Sequence, residues 1–350
     1  MAKAKVVEQA ETKGAAPSEE RTYEKLIYEF ILVADSPIAH HSESFGNNAI
    51  AMRVKTRMPD GSFVNIPILT GDTIRHGLRE ASAYAMLDAA GMIDDPGLGE
   101  SALRLLFNGG MIDGGQDNAV KLDQYRELVE LCPQIALLGG CAQNRSVPGR
   151  TTVDAAELIC EETAHRMPGW VIEYLREQKS ALAPARQHIE EVQRVRMDAS
   201  LDPGKTKLLS DGGVGVRNRL LASEHGKEVG DAVLAQNAKS SMMPRRFETL
   251  VTGSIFYWRL EAEVFTALER DTFNTMVGMW LASARVGGKK ATGHGRIRVV
   301  TARAVNWRRP REMVTGFEVE VLAPKVGSLF QTHLAARKDR VRKLLQEIQA

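Results

Sequence analysis

Residues 254–285 read SIFYWRLEAEVFTALERDTFNTMVGMWLASAR, and the hydrophobic period changes within them. Phe256, Trp258, Leu260, Ala262 and Val264 alternate with polar or amphipathic neighbours, the period of two that a strand with one buried face requires. From Glu269 to Arg285 the apolar residues Phe273, Met276, Val277, Trp280 and Leu281 recur at helical spacing, which predicts an amphipathic helix. A glycine loop, GGKKATGHGRIR (287–298), leads into a further strand expected from Ile297 to Trp307. Another strand is expected to include FEVEVLA (317–323), and a basic helix to run from Thr332 to Ile348.

A second passage of the same kind lies about 180 residues upstream. Between Tyr23 and Ala34, Leu26, Tyr28, Phe30 and Leu32 mark one face of a strand. A loop, DSPIAHHSESFGNN (35–48), precedes a hairpin made of AMRVKTRM (51–58), the turn PDGS and FVNIPIL (63–69). Thr70-Gly71-Asp72 breaks the strand and opens a helix over 73–91, with Ile74, Leu78, Ala81 and Ala85 at helical spacing. Two such passages predict an α+β fold with a ferredoxin-like (RRM-like) βαββαβ core interrupted in its middle. The core is assigned to 23–91 and 247–350, a mostly helical insertion to 92–185, and a protruding thumb to 186–246. Residues 1–22 read as a disordered tail.

Composition narrows the class. With 43% hydrophobic and 26% charged residues, the 350-residue chain is ordinary for a soluble globular protein. Cys132, Cys141 and Cys160 form no CxxC pair, so neither zinc nor a disulfide framework is expected, and no cofactor is. No apolar run is long enough for a membrane span, and the polar N-terminus has no signal-peptide core, so a cytoplasmic location is expected. The net charge of +2 conceals an asymmetry. Residues 94–177 carry 14 acidic against 7 basic side chains, whereas 285–312 carry 9 basic against 1 acidic. A basic segment attracts polyanions, although a solvated basic face is the plainer alternative.

The glycine loop superficially resembles a phosphate-binding loop. A P-loop needs Lys then Ser/Thr after its last glycine, and strand, loop, helix in that order. Here His294-Gly295 occupy that place, a helix precedes and a strand follows. What remains is a glycine-permitted loop carrying Lys289, Lys290, His294 and Arg296, cations suited to phosphate. The helix start near Asp72 offers a second anion seat, which Arg75 and Arg79 would extend along one face. Taken singly, those arginines read more readily as a solvated surface pair.

Together these segments carry a resemblance. IPILTGDTIRHGLR (66–79) resembles the pattern of the CRISPR-associated RAMP superfamily, in which an apolar strand enters "PGSS" before a helix with a basic pair. GGKKATGHGRI resembles that superfamily's glycine-rich loop ending in G-x-G-R. RRFETLVTGSIFYWRLEAE resembles its strand with a "PGT" start, although Thr252-Gly253-Ser254 lacks the proline. LCPQIALLGG resembles its "LFG" element, with Leu138 in place of phenylalanine. These correspondences span roughly residues 23–90, 130–165 and 247–305, in the superfamily's order. The whole most resembles the repeated backbone subunit of type IV CRISPR effectors, with type III and type I backbones as near relatives.

The resemblance implies a subunit that binds guide RNA (crRNA) largely without regard to sequence and oligomerises along it as a helical filament. Its partners would be crRNA, other copies of itself, other effector subunits and a complementary target strand. The RNA grip then falls on His40, His41, Asn47, Asn48, Arg53, Arg75, Arg79, Lys289, Lys290, His294 and Arg296. The thumb would use Arg194, Arg196, Met242, Met243, Arg245 and Arg246, the methionines either wedging a base step or plugging the arm's base. No catalysis is expected. The alternative is a metal-dependent endoribonuclease of the type III kind, for which Asp35 and Glu43 are the acids of the loop after the first strand. A processing ribonuclease using His40 or His41 as general base is a third reading.

Overall fold

The computed structural model describes residues 22–45, 48–94, 97–110, 121–142, 144–196, 243–305, 308 and 328–348. The first half runs β1 (Glu24–Ala34), β2 (His41–Phe45), β3 (Asn48–Ala51), β4 (Arg53–Arg57), β5 (Phe63–Leu69), α1 (Gly71–Ala89), α2 (Glu100–Asn108), α3 (Leu122–Leu131) and α4 (Pro133–Leu138). Then come β6 (Gly140–Ala142), β7 (Arg145–Val147), β8 (Thr151–Val153), β9 (Ala156–Leu158), α5 (Gly169–Glu177) and β10 (Ile189–Arg196). The last part holds β11 (Met243–Leu250), β12 (Ile255–Val264), α6 (Ala267–Ala282), β13 (Ile297–Ala304), α7 (Leu329–Ala336) and α8 (Lys338–Glu347). The fold is α+β. The expected strand over 317–323, most of the tail and the outer part of the thumb lie outside the described residues.

The main sheet has the order β13-β1-β12-β9-β5-β4, with β8 also on β12. β1 is antiparallel to both β12 and β13, and β12 is antiparallel to β8 and β9. One sheet face carries the alternating set read from the sequence: Tyr28, Phe30 and Leu32 from β1 with Phe256, Trp258, Leu260 and Ala262 from β12. Phe273, Met276, Val277 and Trp280 of α6 and Ile74 and Leu78 of α1 close over it. Phe30 stacks on Trp258 at 4.8 Å, and Trp280 meets the same indole edge-on at 5.3 Å.

The opposite face is covered by α5, whose Val171 and Leu175 pack on Ile31 and Ile159. Its centre holds the buried carboxylate of Glu29. Trp170 Nε1 and Tyr257 OH each donate to it at 2.9 Å, and Arg303 Nε donates at 2.6 Å. A buried charge is tolerated when its oxygens are fully engaged, as these are. Burial, then the neighbouring Glu29, pushes the Tyr257 phenol well above its ordinary value.

Three expectations differ from the structure. The segment read as the loop 35–48 contains β2 and, at its end, the start of β3. These strands join a second sheet of order β10-β11-β3-β2, so their partners come from a distant part of the chain. The stretch 92–185 is more than helical, because it supplies β8 and β9 to the main sheet. The terminal helix is two helices, parted where Arg337 leaves helical geometry at φ −122° and ψ 17°. Among the described residues no helix is long and apolar enough to cross a membrane.

Gly77 sets how closely α1 lies on α6. A Cβ there would fall 2.3 Å from Trp280 Nε1. Alanine favours a helix interior by about 1 kcal/mol over glycine. Overpacking a core costs about 1–3 kcal/mol, and the indole is buried against Trp258 with little room to move. The clash should win: Gly77→Ala is expected to lower the thermal midpoint, and a raised midpoint would show that the helices yield.

Candidate nucleic-acid interface

Three sequence-distant segments meet at one end of the core: the turn after β1, the first turns of α1, and the glycine loop between α6 and β13. Backbone hydrogen bonds stitch the first to the third. Gly288 N donates to Ala39 O at 2.7 Å, Gly295 N to Pro37 O at 2.9 Å, and Asp35 N to Arg296 O at 2.9 Å. Arg296 N adds a bond to Ser36 Oγ at 2.9 Å. The approach requires glycine. Gly287 has φ +74° and Gly295 φ +85°, and a Cβ on Gly287 would sit 2.5 Å from Ala39 O.

The result is a cleft of about 550 Å³ lined by Ala39, His40, His41, Asp72, Thr73, His76, Gly287, Gly288 and Lys290. It therefore brings together His40, His41 and Lys290 from the sequence-predicted grip. His40 Nε2 lies 3.3 Å from Thr70 N and 3.2 Å from Thr70 Oγ1, which fixes its ring against the strand-to-helix turn. His41 Nε2 lies 2.9 Å from Glu248 O. His76 and Lys290 are exposed. Asp72 places one carboxylate in the first turn of α1, at the positive end of the helix.

Beside the cleft, Phe247 of β11 is buried and acts as an anchor. Lys289, in the left-handed region at φ +57°, holds its Nζ 4.0 Å above that ring. His294, also buried, and His41 meet the ring at 6.0 and 6.1 Å, and Arg194 of β10 lies 5.8 Å from it. The base of the β10–β11 arm is thus locked to the glycine loop through one aromatic side chain. Within the arm Arg194 is opposite Arg245, Arg196 is opposite Met243, and Arg246 lies 3.8 Å from Glu191 and runs beside Asn48 of β3. Asn47 and Met242 lie outside the described residues.

Other predicted residues are engaged elsewhere. Arg53 pairs with Glu248 at 2.9 Å, and Glu248 also accepts Ala51 N at 2.8 Å. Arg75 donates to Leu138 O, and Arg79 donates to Leu138 O at 3.2 Å and Gly139 O at 2.9 Å. Both therefore cap the C-terminal carbonyls of α4, where a helix favours cations. Burial, then the neighbouring Arg75, lowers the Arg79 pKa. Asp35 accepts Arg298 Nε at 2.8 Å, while Glu43 lies in β2 opposite Ile50. Among the described residues no group of three His, Cys, Asp or Glu side chains is placed to hold a metal ion.

Sequence reasoning missed Phe247, His76 and Glu248. Phe247 had a signal in its place after Arg245-Arg246, whereas the part of Glu248 depends on β3 and β11 lying side by side.

No protein-family model matches the chain, and no curated protein matches it. Among solved structures, a chain of one described as a Type IV-B CRISPR Complex has the same fold, with a TM-score of 0.51 and 19% sequence identity. The match covers 80% of this chain and 90% of that chain.

Burial lowers the pKa of His40, with a further contribution from His41. It lowers that of His294 too; the Thr292 carbonyl opposes the effect, and Arg194 and Lys289 add to it. The unfolded chain takes up protons near the ordinary histidine value of about 6.5, where the folded rings resist them. Acidification through that value therefore favours the unfolded chain. The thermal midpoint is expected to fall between about pH 7 and about pH 5.5, with His188 and His333 adding to the slope. Replacing His40 and His294 with glutamine should flatten it; an unchanged slope contradicts the assignment.

Proposed function

We propose that this chain is a subunit of a type IV-like CRISPR effector, and that it binds single-stranded guide RNA along the cleft between the turn after β1, the start of α1 and the glycine loop. The observation that carries the proposal is the convergence of Lys290, His40, His41 and His76 where Gly287 and Gly288 expose backbone. The Lys290 ammonium and open backbone suit phosphates, which carry no base identity, so binding is sequence-tolerant.

Two further features support it. The strand order β13-β1-β12-β9, with α1 and α6 on one face, supports a core of the split βαββαβ kind that RNA-recognition modules use. The likeness to a chain of a type IV-B CRISPR complex agrees with the ordered motif matches over 23–90, 130–165 and 247–305. Successive copies would lie along one RNA as a cytoplasmic filament, each arm reaching toward its neighbour with Arg194, Arg245 and Arg246. The reading is of a binder: Asp35, one of the two loop acids that a nuclease of this kind would use, is paired with Arg298. Arg75 and Arg79 belong to its scaffold.

Lys290 and Arg296 are exposed loop cations whose loss leaves the core intact. Replacing both with alanine is expected to strip copurifying RNA at moderate salt and to reduce the slope of log affinity against log salt by about 1.4, or about 0.7 per lost phosphate contact. Wild-type RNA content and an unchanged slope in a folded double variant would refute the assignment.

A further inference from the structure

The β4–β5 hairpin presents a face that the cleft does not use. Arg53, Lys55 and Arg57 alternate along β4, and Lys55 and Arg57 are opposite Asn65 and Phe63 of β5. Strand pleat puts these side chains on one side of the ribbon, with the cations roughly 6.6 Å apart along it. Thr56, which points the other way, is buried, as are Ile66 and Ile68. Near its turn the ribbon therefore turns Thr56 inward and Lys55, Arg57 and Phe63 to solvent, although Val54 on the Thr56 face is exposed too.

Phe63 is 58% exposed, the largest exposure of any large hydrophobic side chain among the described residues. A phenylalanine at the mouth of a polar turn contributes nothing to the core there. Lys55 Nζ lies 4.7 Å from its ring centroid. Lys55 and Arg57 are exposed and, among the described residues, form no ion pair, whereas Arg53 on the same face is neutralised by Glu248. An exposed ring flanked by two uncompensated cations matches the chemistry of a single nucleic-acid strand, with a base to stack and phosphates to neutralise. A protein partner would need an apolar patch around the ring; Lys55, Arg57 and Asn65 surround it instead.

We propose that this hairpin is a second single-strand contact, in which a base stacks on Phe63 while Lys55 and Arg57 hold the flanking phosphates. The proposal rests on the RNA-binding function above and adds a stacking site remote from the glycine loop in sequence. The strand is either the guide or an unpaired stretch of the target, and the chemistry of the hairpin is the same for both.

The test uses the full-length chain freed of nucleic acid, with a fluorescent guide-length RNA in one arm. In the other arm, chain already loaded with guide is challenged with a fluorescent complementary strand. Phe63→Ala is expected to weaken binding by about tenfold in one arm without changing the salt slope, and Phe63→Tyr to restore it. Lys55→Ala with Arg57→Ala should lower the slope by about 1.4. Loss in the first arm assigns the hairpin to the guide, and loss in the second alone assigns it to the target; either upholds the proposal. Wild-type binding by Phe63→Ala in both arms, while Lys290→Ala with Arg296→Ala still weakens it, overturns the hairpin contact alone. If wild-type chain binds in neither arm, both proposals fall. If Phe63→Ala changes only the oligomeric state measured without nucleic acid, the ring serves a second copy of the chain and the proposal is wrong. As Phe63 is a surface residue, the variant should keep its thermal midpoint, which serves as the folding control.

Discussion

The backbone contact between Ala39 and the paired glycines 287 and 288 is the constraint on which the functional end of this molecule depends. Strand β1 and helix α6 would exist without it, since their alternating and helical apolar patterns bury into the main core regardless. What the contact adds is relative position. It draws the chain leaving β1 against the chain leaving α6 and leaves His40 and His41 facing Lys290. Positive φ at Gly287 and Gly295 makes the approach possible, and a side chain at Gly287 would strike the Ala39 carbonyl. Few residues have this geometry open to them, which is why the loop is built of glycine where it meets the turn and of cations where it meets solvent.

The arm inherits its position from the same contact. Phe247 is buried under Lys289, His294, His41 and Arg194, so β11 is held by the glycine loop on one side and by β3 on the other. Glu248 carries the next link by accepting both Arg53 and the Ala51 amide. An ion pair with both partners about a quarter exposed is worth little by itself, but here it joins three strands of two sheets. The cleft, the arm base and the inner end of the hairpin are therefore tied together by contacts of Phe247 and Glu248.

Much of this was legible in the residues. The alternation in 23–34 and 255–264 is strong because each strand buries a full face of large side chains, and α6 shows its buried stripe for the same reason. The glycine loop stood out by composition, and its cations were read for their chemistry. The misses have physical causes. HSESF and NAIA are short and weakly patterned, and they become strands because NAIA pairs with β11 and HSESF pairs with NAIA. The three-residue strands β8 and β9 exist only through their sheet partners, β12 for β8 and β12 with β5 for β9. Arg75 and Arg79 look like a free basic pair in sequence, yet their nearest acceptors are carbonyls of α4 about sixty residues further on. Charge is visible in a sequence, but the partner that occupies it is not.

The central claim is that RNA lies in the cleft made by the turn after β1 and the glycine loop. Ultraviolet crosslinking of the RNA-bound assembly, followed by mass spectrometry of the crosslinked peptides, tests it most directly. Adducts should concentrate in residues 35–41 and 287–296. Adducts confined to the helical region of α2 to α4, or to α7 and α8, with none in those two segments, would contradict the account.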